Sequence, residues 1–271
     1  MWTERQRAML GEMGLRLWEA QTHPDGRSDA SPPAPPERAE GAAFAVPDRP
    51  TPVNAPVALR NRPSDVDAMD WGTLRNAVAA CTACKLCSSG RRQTVFGVGH
   101  LQAHWMIVGE APGEQEDIQG EPFVGKSGHL LDNMLKALGL SRHATPPPGD
   151  AGAAPDPARQ VYIVNTLKCR PPGNRNPEPD ELAQCEPFLV RQIALVKPRI
   201  ILAMGRFAVQ ALLRSDEPVG RLRGRVHRYQ GVPLVVTYHP AYLLRNPEDK
   251  ARAWDDLCLA AETAAALATA A

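Results

Sequence analysis

The sequence predicts an α/β fold of three layers, α/β/α, in which a small central parallel sheet of about four strands lies between helices. Two observations support this prediction. Four continuous apolar runs have the length of strands and lack polar alternation, as expected for strands covered on both faces. A helix candidate follows each run, and such alternation is typical of parallel sheets.

The predicted elements alternate from Trp105 to the C-terminal region. The apolar runs are Trp105–Gly109, Val161–Asn165, residues 200–203 and residues 234–237. The helix candidates are residues 127–138, Pro179–Val196, residues 206–214 and residues 247–267. Ligands of parallel sheets collect at the carboxyl ends of the strands, so a binding site is expected in the loops that follow these runs.

The composition divides the chain into three regions. Residues 1–21 are predicted to form an N-terminal helix with a loose apolar face. Residues 22–63 are rich in Pro and Ala and poor in large apolar side chains, which predicts a disordered linker. Residues 64–271 form the predicted domain, and the Pro-, Gly- and Ala-rich segment 144–159 is interpreted as a flexible insertion within it.

Size and charge exclude few functions. The 271 residues are 43% hydrophobic, which is enough for an ordinary buried core, and the net charge of +1 neither indicates nor excludes a polyanionic partner. The N-terminus has no signal-peptide pattern, and no apolar run reaches the roughly 18 residues that span a bilayer. We therefore expect a cytoplasmic protein, in which the six cysteines are metal ligands, catalytic groups or buried fillers rather than disulfides.

Five of the cysteines have a spacing that suits a metal. Cys81, Cys84 and Cys87 are each separated by two residues, the spacing at which two thiolates bind one metal. Cys169 and Cys185 lie downstream and can complete a four-thiolate site for either zinc or an iron-sulfur cluster. The alternative for Cys185 is simple packing on the apolar face of its helix.

The loop after the first predicted strand combines glycines with carboxylates. Glycine permits close approach of a ligand, while Glu110, Glu114, Glu116 and Asp117 can position water or accept protons. A solvated acidic turn is the alternative. Phe123 lies in the same loop rather than in a core run, so it offers a face for stacking a planar ring.

Two polar side chains end later strands. Asn165 supplies one acceptor and two donors, which suits the edge of a nucleobase, although capping a turn is the ordinary role of a single asparagine. His239 is followed by a proline that fixes its backbone. A histidine at a strand end can donate a hydrogen bond to developing negative charge.

Basic residues surround these loops. The segment 220–228 carries four arginines in nine residues. An arginine run is usually a solvated surface, but its convergence with the loops at the strand ends indicates phosphate binding. The basic side chains concerned are Lys168, Arg170, Arg175, Arg223, Arg225 and Arg245.

Taken together, these motifs resemble the bacterial and archaeal iron-sulfur uracil-DNA glycosylases, known as family 4. The similarity extends from about Trp71 to Leu259 and does not include residues 1–63. The motifs, in order, are Cys81-x-x-Cys84, Val95-Phe-Gly-Val-Gly99, Gly109-Glu-Ala-Pro-Gly113, Pro122-Phe-Val-Gly125, Asn165-Thr-Leu-Lys-Cys-Arg-Pro-Pro172 and His239-Pro-Ala-Tyr-Leu-Leu-Arg245.

The resemblance implies an enzyme of base excision repair that flips uracil out of DNA and hydrolyses its N-glycosidic bond. It also implies a uracil-DNA glycosylase-like fold and a 4Fe-4S cluster, but no ligand role for Cys87. The implied cluster ligands are Cys81, Cys84, Cys169 and Cys185. The implied uracil-binding residues are Phe123, which stacks on the base, Asn165, which reads its edge, His239, which faces O2, and Glu110 and Ala111, whose backbone shapes the pocket.

The DNA backbone and the attacking water need further residues. Leu243 or Leu244 is expected to fill the space left by the flipped nucleotide, while Arg245 and the arginines of residues 221–228 hold the backbone. Glu116 is the candidate for excluding the thymine methyl group. Glu116 and Asn174 are alternative candidates for holding the water, and the residues do not decide between them.

The expected partner is single- or double-stranded DNA that contains uracil, bound by a monomer in the cytoplasm at the nucleoid. Residues 1–63 are expected to bind a repair or replication protein. Two other functions remain open. One is a glycosylase that binds uracil-DNA covalently through an extra histidine, although the loop between Pro172 and Pro179 contains none. The other is a zinc-bearing DNA-binding module without catalysis.

Overall fold

A six-stranded mixed sheet organises the part of the chain that the computed structural model describes, residues 63, 65–143 and 154–269. The strand order is β1-β3-β2-β4-β6-β5. The inner four strands are parallel, and the two edge strands pair antiparallel to them. The strands are β1 (Val98–Gly99), β2 (Trp105–Gly109), β3 (Val161–Asn165), β4 (Ile200–Met204), β5 (Val226–Tyr229) and β6 (Val232–Thr237).

Eight α-helices accompany the sheet within the described residues. They are α1 (Trp71–Ala79), α2 (Glu114–Gln119), α3 (Lys126–Ala137), α4 (Pro179–Val196), α5 (Arg206–Leu213), α6 (Val219–Leu222), α7 (Pro240–Arg245) and α8 (Lys250–Thr269). Short 3-10 helices lie at Val66–Ala68, Lys85–Ser88, Pro157–Arg159, Pro172–Asn174 and Pro247–Asp249. None of the described helices is long and apolar enough to cross a membrane.

Each face of the sheet has its own core, which confirms the predicted three layers. Alternate strand residues such as Ile107 and Leu202 pack with α3, α7 and α8 on one face. Their neighbours along the strands, such as Val108 and Ala203, pack with α4 and α5 on the other face. Because successive side chains of a strand point to opposite faces, a fully apolar run is what a doubly covered strand requires.

The sheet is larger than predicted because both edge strands lack an apolar run. β5 lies inside the arginine-rich segment and has an alternating pattern of exposure, so it did not resemble a buried strand. It joins β6 through Gln230 and Gly231, both with positive φ, as in the two-residue turn of a twisted hairpin. The strand β1 has only two residues.

The helix boundaries follow local signals in the sequence. α4 begins at Pro179 after Glu178, whose side chain forms a capping box with Glu181, and it ends at Lys197 in the left-handed conformation. The predicted bounds of α4 are correct, and those of α3 and α5 differ at their ends by one residue. The last predicted helix is divided into the 3-10 helix Pro247–Asp249 and α8.

Two predicted regions fall mainly outside the described residues. The predicted N-terminal helix, residues 1–21, and the linker, residues 22–63, lie outside them except for Pro63. Of the predicted insertion at 144–159, residues 154–159 are described, and they contain the 3-10 helix Pro157–Arg159 before β3.

Replacing Leu131 with alanine tests the α3 side of the core. Leu131 is fully buried in the cluster beneath α3, so Leu131→Ala should lower the free energy of unfolding by about 2 to 5 kcal/mol through lost burial and a residual cavity. Denaturant unfolding measures this change. Leu101 is 45% exposed, and Leu101→Ala should stay within about 0.5 kcal/mol of wild type. Equal effects of the two changes would contradict the assigned core.

Candidate functional site

The loops at the carboxyl ends of all four parallel strands enclose one large cavity of about 900 Å³. This is the edge of the sheet at which the sequence predicts a binding site. The side chains that line it include Glu110, Phe123, Asn165, Tyr238, His239 and Arg245. The cavity contains both apolar ring faces and polar atoms, as sites for small organic groups do.

Two rings form one wall of the cavity. Phe123 and His239 stack with their ring centroids 5.4 Å apart and an interplanar angle of 30°. Phe123 has a φ of 56°, a left-handed conformation that is rare for an aromatic residue. A Cβ on Gly128 would lie 1.8 Å from the Phe123 carbonyl oxygen, so the glycine permits the close packing that holds this conformation. Strained backbone of this kind is commonly found at binding sites.

Asn165 ends β3 with a side chain that points into the cavity and is almost fully buried. Its Oδ1 atom is buried and accepts no hydrogen bond within the described residues. A buried acceptor without a partner is costly, and a ligand that donates a hydrogen bond there removes the cost. A Cβ on Gly109 would lie 2.4 Å from this Oδ1 and 2.6 Å from the Phe123 ring, so only glycine leaves room for both.

His239 is held as a neutral hydrogen-bond donor. Burial lowers its pKa to about 4, and the charge of Arg245 lowers it further in the same direction. His239 is also the N-cap of α7, and its Nδ1 atom accepts the Ala241 N–H at 3.2 Å. In a neutral imidazole the proton is then on Nε2, which leaves that nitrogen as a donor.

Glu110 follows β2 and carries one of the carboxylates that the sequence predicts to position water or accept protons. Burial raises the pKa of this carboxyl, while nearby backbone N–H groups of Phe207 and Arg206 lower it. The Phe207 N–H at the start of α5 is 3.4 Å from Oε1. The resemblance implied a role for the Glu110 backbone only, whereas the carboxyl itself lines the cavity and has the raised pKa of a proton acceptor. Ala111 lines the cavity and also packs against an apolar cluster that contains Cys169 and Cys185.

The carboxylate of Glu116 connects two loops of the site. It accepts the Gly113 N–H at 3.0 Å on one oxygen, and on the other the N–H groups of Val124 and Gly125 at 3.0 and 3.2 Å. These bonds fix the loop after β2 against the backbone that carries Phe123. The Asn174 side chain lies at the exposed rim, where its Oδ1 accepts the Arg170 Nε–H at 2.8 Å.

The predicted metal ligands converge beside this cavity. Cys84, Cys169 and Cys185 share one apolar cluster with Leu86 and Leu167. Cys81 lies on the adjoining apolar cluster and acts electrostatically on both Cys84 and Cys169. Among the described residues, no group of three or more His, Cys, Asp or Glu side chains is placed to hold a single metal ion. An iron-sulfur cluster binds its thiolates on different irons, so its ligands stand further apart than those of one ion.

Two cations accompany the sulfurs, and the donor set therefore fits an anionic thiolate cluster. The Arg91 guanidinium donates to Cys169 Sγ at 2.7 Å and to the Cys81 carbonyl at 2.7 Å. Lys168 is fully buried, and its Nζ donates to the Asn165 carbonyl at 2.7 Å. Burial raises the thiol pKa of Cys169 to about 11 and of Cys185 to about 12. Burial likewise lowers the pKa of Lys168 to about 7, so bound metal would favour the thiolates and, through them, the charged lysine.

The predicted basic rim is only partly available to a ligand. Arg223 pairs with the buried Asp256 at 3.0 Å, and Arg175 pairs with Glu181 at 2.5 Å. Arg170 lies 3.7 Å from Glu114. In contrast, Arg225 and Arg245 are exposed.

The prediction that Leu243 faces DNA is wrong. Leu243 is fully buried in the core beneath α3 and α8, because it lies on the inner face of α7. Its neighbour Leu244 is 44% exposed on the same helix, so only the second of the two predicted leucines is available to a ligand. A helix of six residues cannot direct two successive side chains to the same side.

Arg91 and the buried state of Lys168 were missed by the sequence reasoning. Arg91 lies outside the motifs that carry the resemblance, and its contact with Cys169 joins residues 78 positions apart. Lys168 was interpreted as part of the basic rim, but it is buried instead of facing solvent. Its position directly before Cys169 was the available signal.

Comparison with known proteins identifies relatives of this chain. The model of the uracil DNA glycosylase superfamily matches residues 96–258. The type-4 uracil-DNA glycosylase of Archaeoglobus fulgidus is 37% identical over 186 residues, which cover 65% of this chain and 85% of the relative. Those of Pyrobaculum aerophilum and Thermotoga maritima are 39% and 38% identical, over 70% and 65% of this chain and 93% and 83% of the relatives.

The neutral state of His239 can be observed by titration. Its ring resonances should titrate in NMR with a midpoint near pH 4, because burial disfavours the charged imidazolium. Since the unfolded chain takes up this proton near pH 6.5, the folded state should lose stability as the pH falls from about 6.5 to 4. His239→Gln should reduce that loss in denaturant unfolding. A midpoint near 6.5 would contradict the assignment.

Proposed function

This chain belongs to the type-4 uracil-DNA glycosylases of the uracil-DNA glycosylase superfamily, and we propose that it excises uracil from DNA by hydrolysing the N-glycosidic bond. The observation that carries the proposal is the buried, unpartnered Oδ1 of Asn165 beside the stacked rings of Phe123 and His239. The product is free uracil and an abasic site, which makes the enzyme a hydrolase of base excision repair.

The edge of uracil complements Asn165. Uracil has an N3–H donor between its O2 and O4 acceptors, so Asn165 Oδ1 accepts from N3 and its amide nitrogen donates to O4. Cytosine has an amino donor at position 4 and an acceptor at N3, and it therefore leaves both amide groups of Asn165 unpaired. This pair of hydrogen bonds to a buried asparagine should favour uracil over cytosine by about 1 to 3 kcal/mol or more. Phe123 supports the base by stacking on its face.

Bond cleavage moves negative charge onto the base. The bond between C1′ of the sugar and N1 of uracil breaks with its electron pair leaving on uracil, where charge collects at O2. His239 stabilises this charge by donating a hydrogen bond from Nε2, which carries the proton of the neutral ring because Nδ1 accepts the Ala241 N–H. We expect this contact to be the largest single contribution to catalysis.

Water completes the reaction at the sugar. Its oxygen forms a bond to C1′, and its proton passes to a carboxylate. We assign this acceptor to Glu110, which lines the cavity and whose pKa is raised by burial. The two residues considered from sequence suit the role less well, because Glu116 already accepts three N–H groups and Asn174 accepts from Arg170 at the rim.

Thymine differs from uracil by one methyl group. Glu116 lines the cavity and its carboxylate is fixed by three backbone N–H groups, so it cannot move aside to admit this group. We retain Glu116 as the residue that excludes thymine. Its rigidity also keeps the backbone beside Phe123 in place.

Uracil in a duplex must leave the base stack to enter the cavity, at a cost of about a few kcal/mol. We assign the filling of the vacated space to Leu244, which is exposed at the end of α7 next to Arg245. Arg225 and Arg245 are exposed and suited to the phosphates, whereas Arg170, Arg175 and Arg223 have acidic partners within the chain. The substrate is DNA that contains uracil, in single or double strands.

The four-thiolate site suits a 4Fe-4S cluster held by Cys81, Cys84, Cys169 and Cys185. The anionic group fits the setting of these sulfurs because Arg91 and the buried Lys168 supply two positive charges. When bound, the cluster supplies a structural cross-link and takes no part in the reaction at the sugar. Cys87 lies in the 3-10 helix beside them, and no ligand role is assigned to it.

The remaining expectations are independent of the cavity. A partner protein for residues 1–63, a monomeric state and a cytoplasmic location at the nucleoid stay predictions. They follow from the sequence and from the proposed repair function alone.

Two single substitutions test the proposed roles. Purified protein should convert an oligonucleotide containing one uracil into an alkali-cleavable abasic strand. His239→Ala should slow this by about 100- to 1,000-fold, the usual cost of losing a donor to developing charge. Asn165→Ala should slow it by about 10- to 100-fold through lost base recognition. Intact strands at high excess of wild-type protein would refute the proposal.

Matched controls for these variants lie on exposed helix surfaces. His129→Ala on α3 and Asn76→Ala on α1 remove the same side-chain types away from the cavity, and both should retain wild-type rates. All four variants should keep the iron content of the wild type, since none removes a sulfur ligand.

Metal analysis tests the cluster assignment. Purified protein should be brown, with about four irons and four inorganic sulfides per chain. Cys84→Ser should lose most of this iron, whereas Cys258→Ser on α8, which packs against the other face of the sheet, should retain it. A colourless protein with one zinc per chain would contradict the assignment and favour a zinc-bearing DNA-binding module.

A further inference from the structure

Lys168 is a buried cation that the proposed reaction does not use. Its side chain is among the largest that are fully buried in the described part of the chain, with 1% exposure. Its ammonium donates to the main-chain carbonyl of Asn165 at 2.7 Å. A buried charge is expensive unless opposite charge and hydrogen bonds compensate it, so the carbonyl alone does not explain why this position holds a lysine.

The compensating groups are the sulfurs. Cys185 and Cys169 are the ionisable groups that act on Lys168 electrostatically. Both become thiolates when they bind iron, so negative charge then faces the ammonium. Arg91 contacts one of these sulfurs from another part of the chain, with its guanidinium 2.7 Å from Cys169 Sγ. Of the two cations, Lys168 is the one that also holds the strand end carrying Asn165.

We propose that Lys168 is a positioning residue that couples the thiolate-bound cluster to the base-reading Asn165. Its ammonium donates to the Asn165 main-chain carbonyl and lies close enough to the cysteine sulfurs of Cys169 and Cys185 to interact with them electrostatically. The inference rests on the proposed function, since it takes Asn165 as the residue that reads uracil. Lys168 touches no reacting atom, so it acts on the reaction only through Asn165.

The first test replaces Lys168 with methionine in the iron-loaded full chain. Lys168→Met keeps a long unbranched side chain but removes the charge and the donor. The reduction potential of the cluster should become more negative, because a nearby positive charge that favours the reduced state is lost. The kcat for uracil release should fall about tenfold, within the usual range for residues that orient a functional ligand, while KM for DNA stays unchanged.

A double-mutant cycle tests whether Lys168 acts through Asn165. The double variant Lys168→Met, Asn165→Ala should release uracil no more slowly than Asn165→Ala alone, because the side chain that Lys168 positions is already absent. Arg191 supplies a matched control, since it donates to a main-chain carbonyl, that of Met69, at 2.6 Å and does not line the cavity. If Arg191→Met slows uracil release, the fold-loss in the double variant Arg191→Met, Asn165→Ala should equal the product of the two single fold-losses.

Three results would overturn the inference. They are multiplicative losses in the Lys168 cycle, an unchanged reduction potential, and loss of iron from both Lys168→Met and the polar variant Lys168→Gln. Loss of iron from both variants would show that Lys168 is needed for assembly of the cluster and not for coupling the cluster to Asn165. If the wild type releases no uracil, the proposed function is refuted, but the effect of Lys168 on the cluster is still open to test. The potential is measured without DNA, so it still decides whether Lys168 acts on the cluster.

Discussion

The pairing of Gly109 with Asn165 across β2 and β3 is the constraint on which the site depends. Parallel register brings the two strand ends together, and the absent side chain of Gly109 leaves space for the Asn165 amide and the Phe123 ring. The Thr166 and Leu167 N–H groups then donate to Gly109 and Glu110 carbonyls at 3.0 Å. Backbone bonds thus extend the order of the sheet into the loops that line the cavity.

The cavity and the cysteine sulfurs differ in how charge is placed around them. His239 is neutral because burial disfavours its charged form and Arg245 is near, which suits a donor to an anion that forms only during the proposed reaction. The cations Arg91 and Lys168 lie instead beside the sulfurs, where lasting negative charge is expected once iron is bound. The neutral N–H of His239 lies where negative charge is expected only during bond cleavage.

The sequence was sufficient for the central strands and for many of the side chains that line the cavity. Doubly buried strands such as β2 show as apolar runs, and the loops after them contain the side chains that line the cavity. Edge strand β5 was missed because one of its faces is solvated and arginine-rich. The burial of Leu243 was missed for a different reason, since it depends on the orientation of α7 against α3 and α8, which a six-residue segment does not encode.

The segment from Cys169 to Cys185 shows why sulfur ligands suit this place. It lies between β3 and the first turns of α4, and it contains prolines at 171, 172, 177 and 179, which cannot donate backbone hydrogen bonds. Within it, the backbone N–H groups of Asn174 and Arg175 donate to the nearby carbonyls of Pro171 and Pro172, so the backbone of the segment is paired mainly with itself. Ligation of both ends to one cluster would add to that pairing. The same cross-link would then hold Lys168, and through it the Asn165 carbonyl, in register with β2.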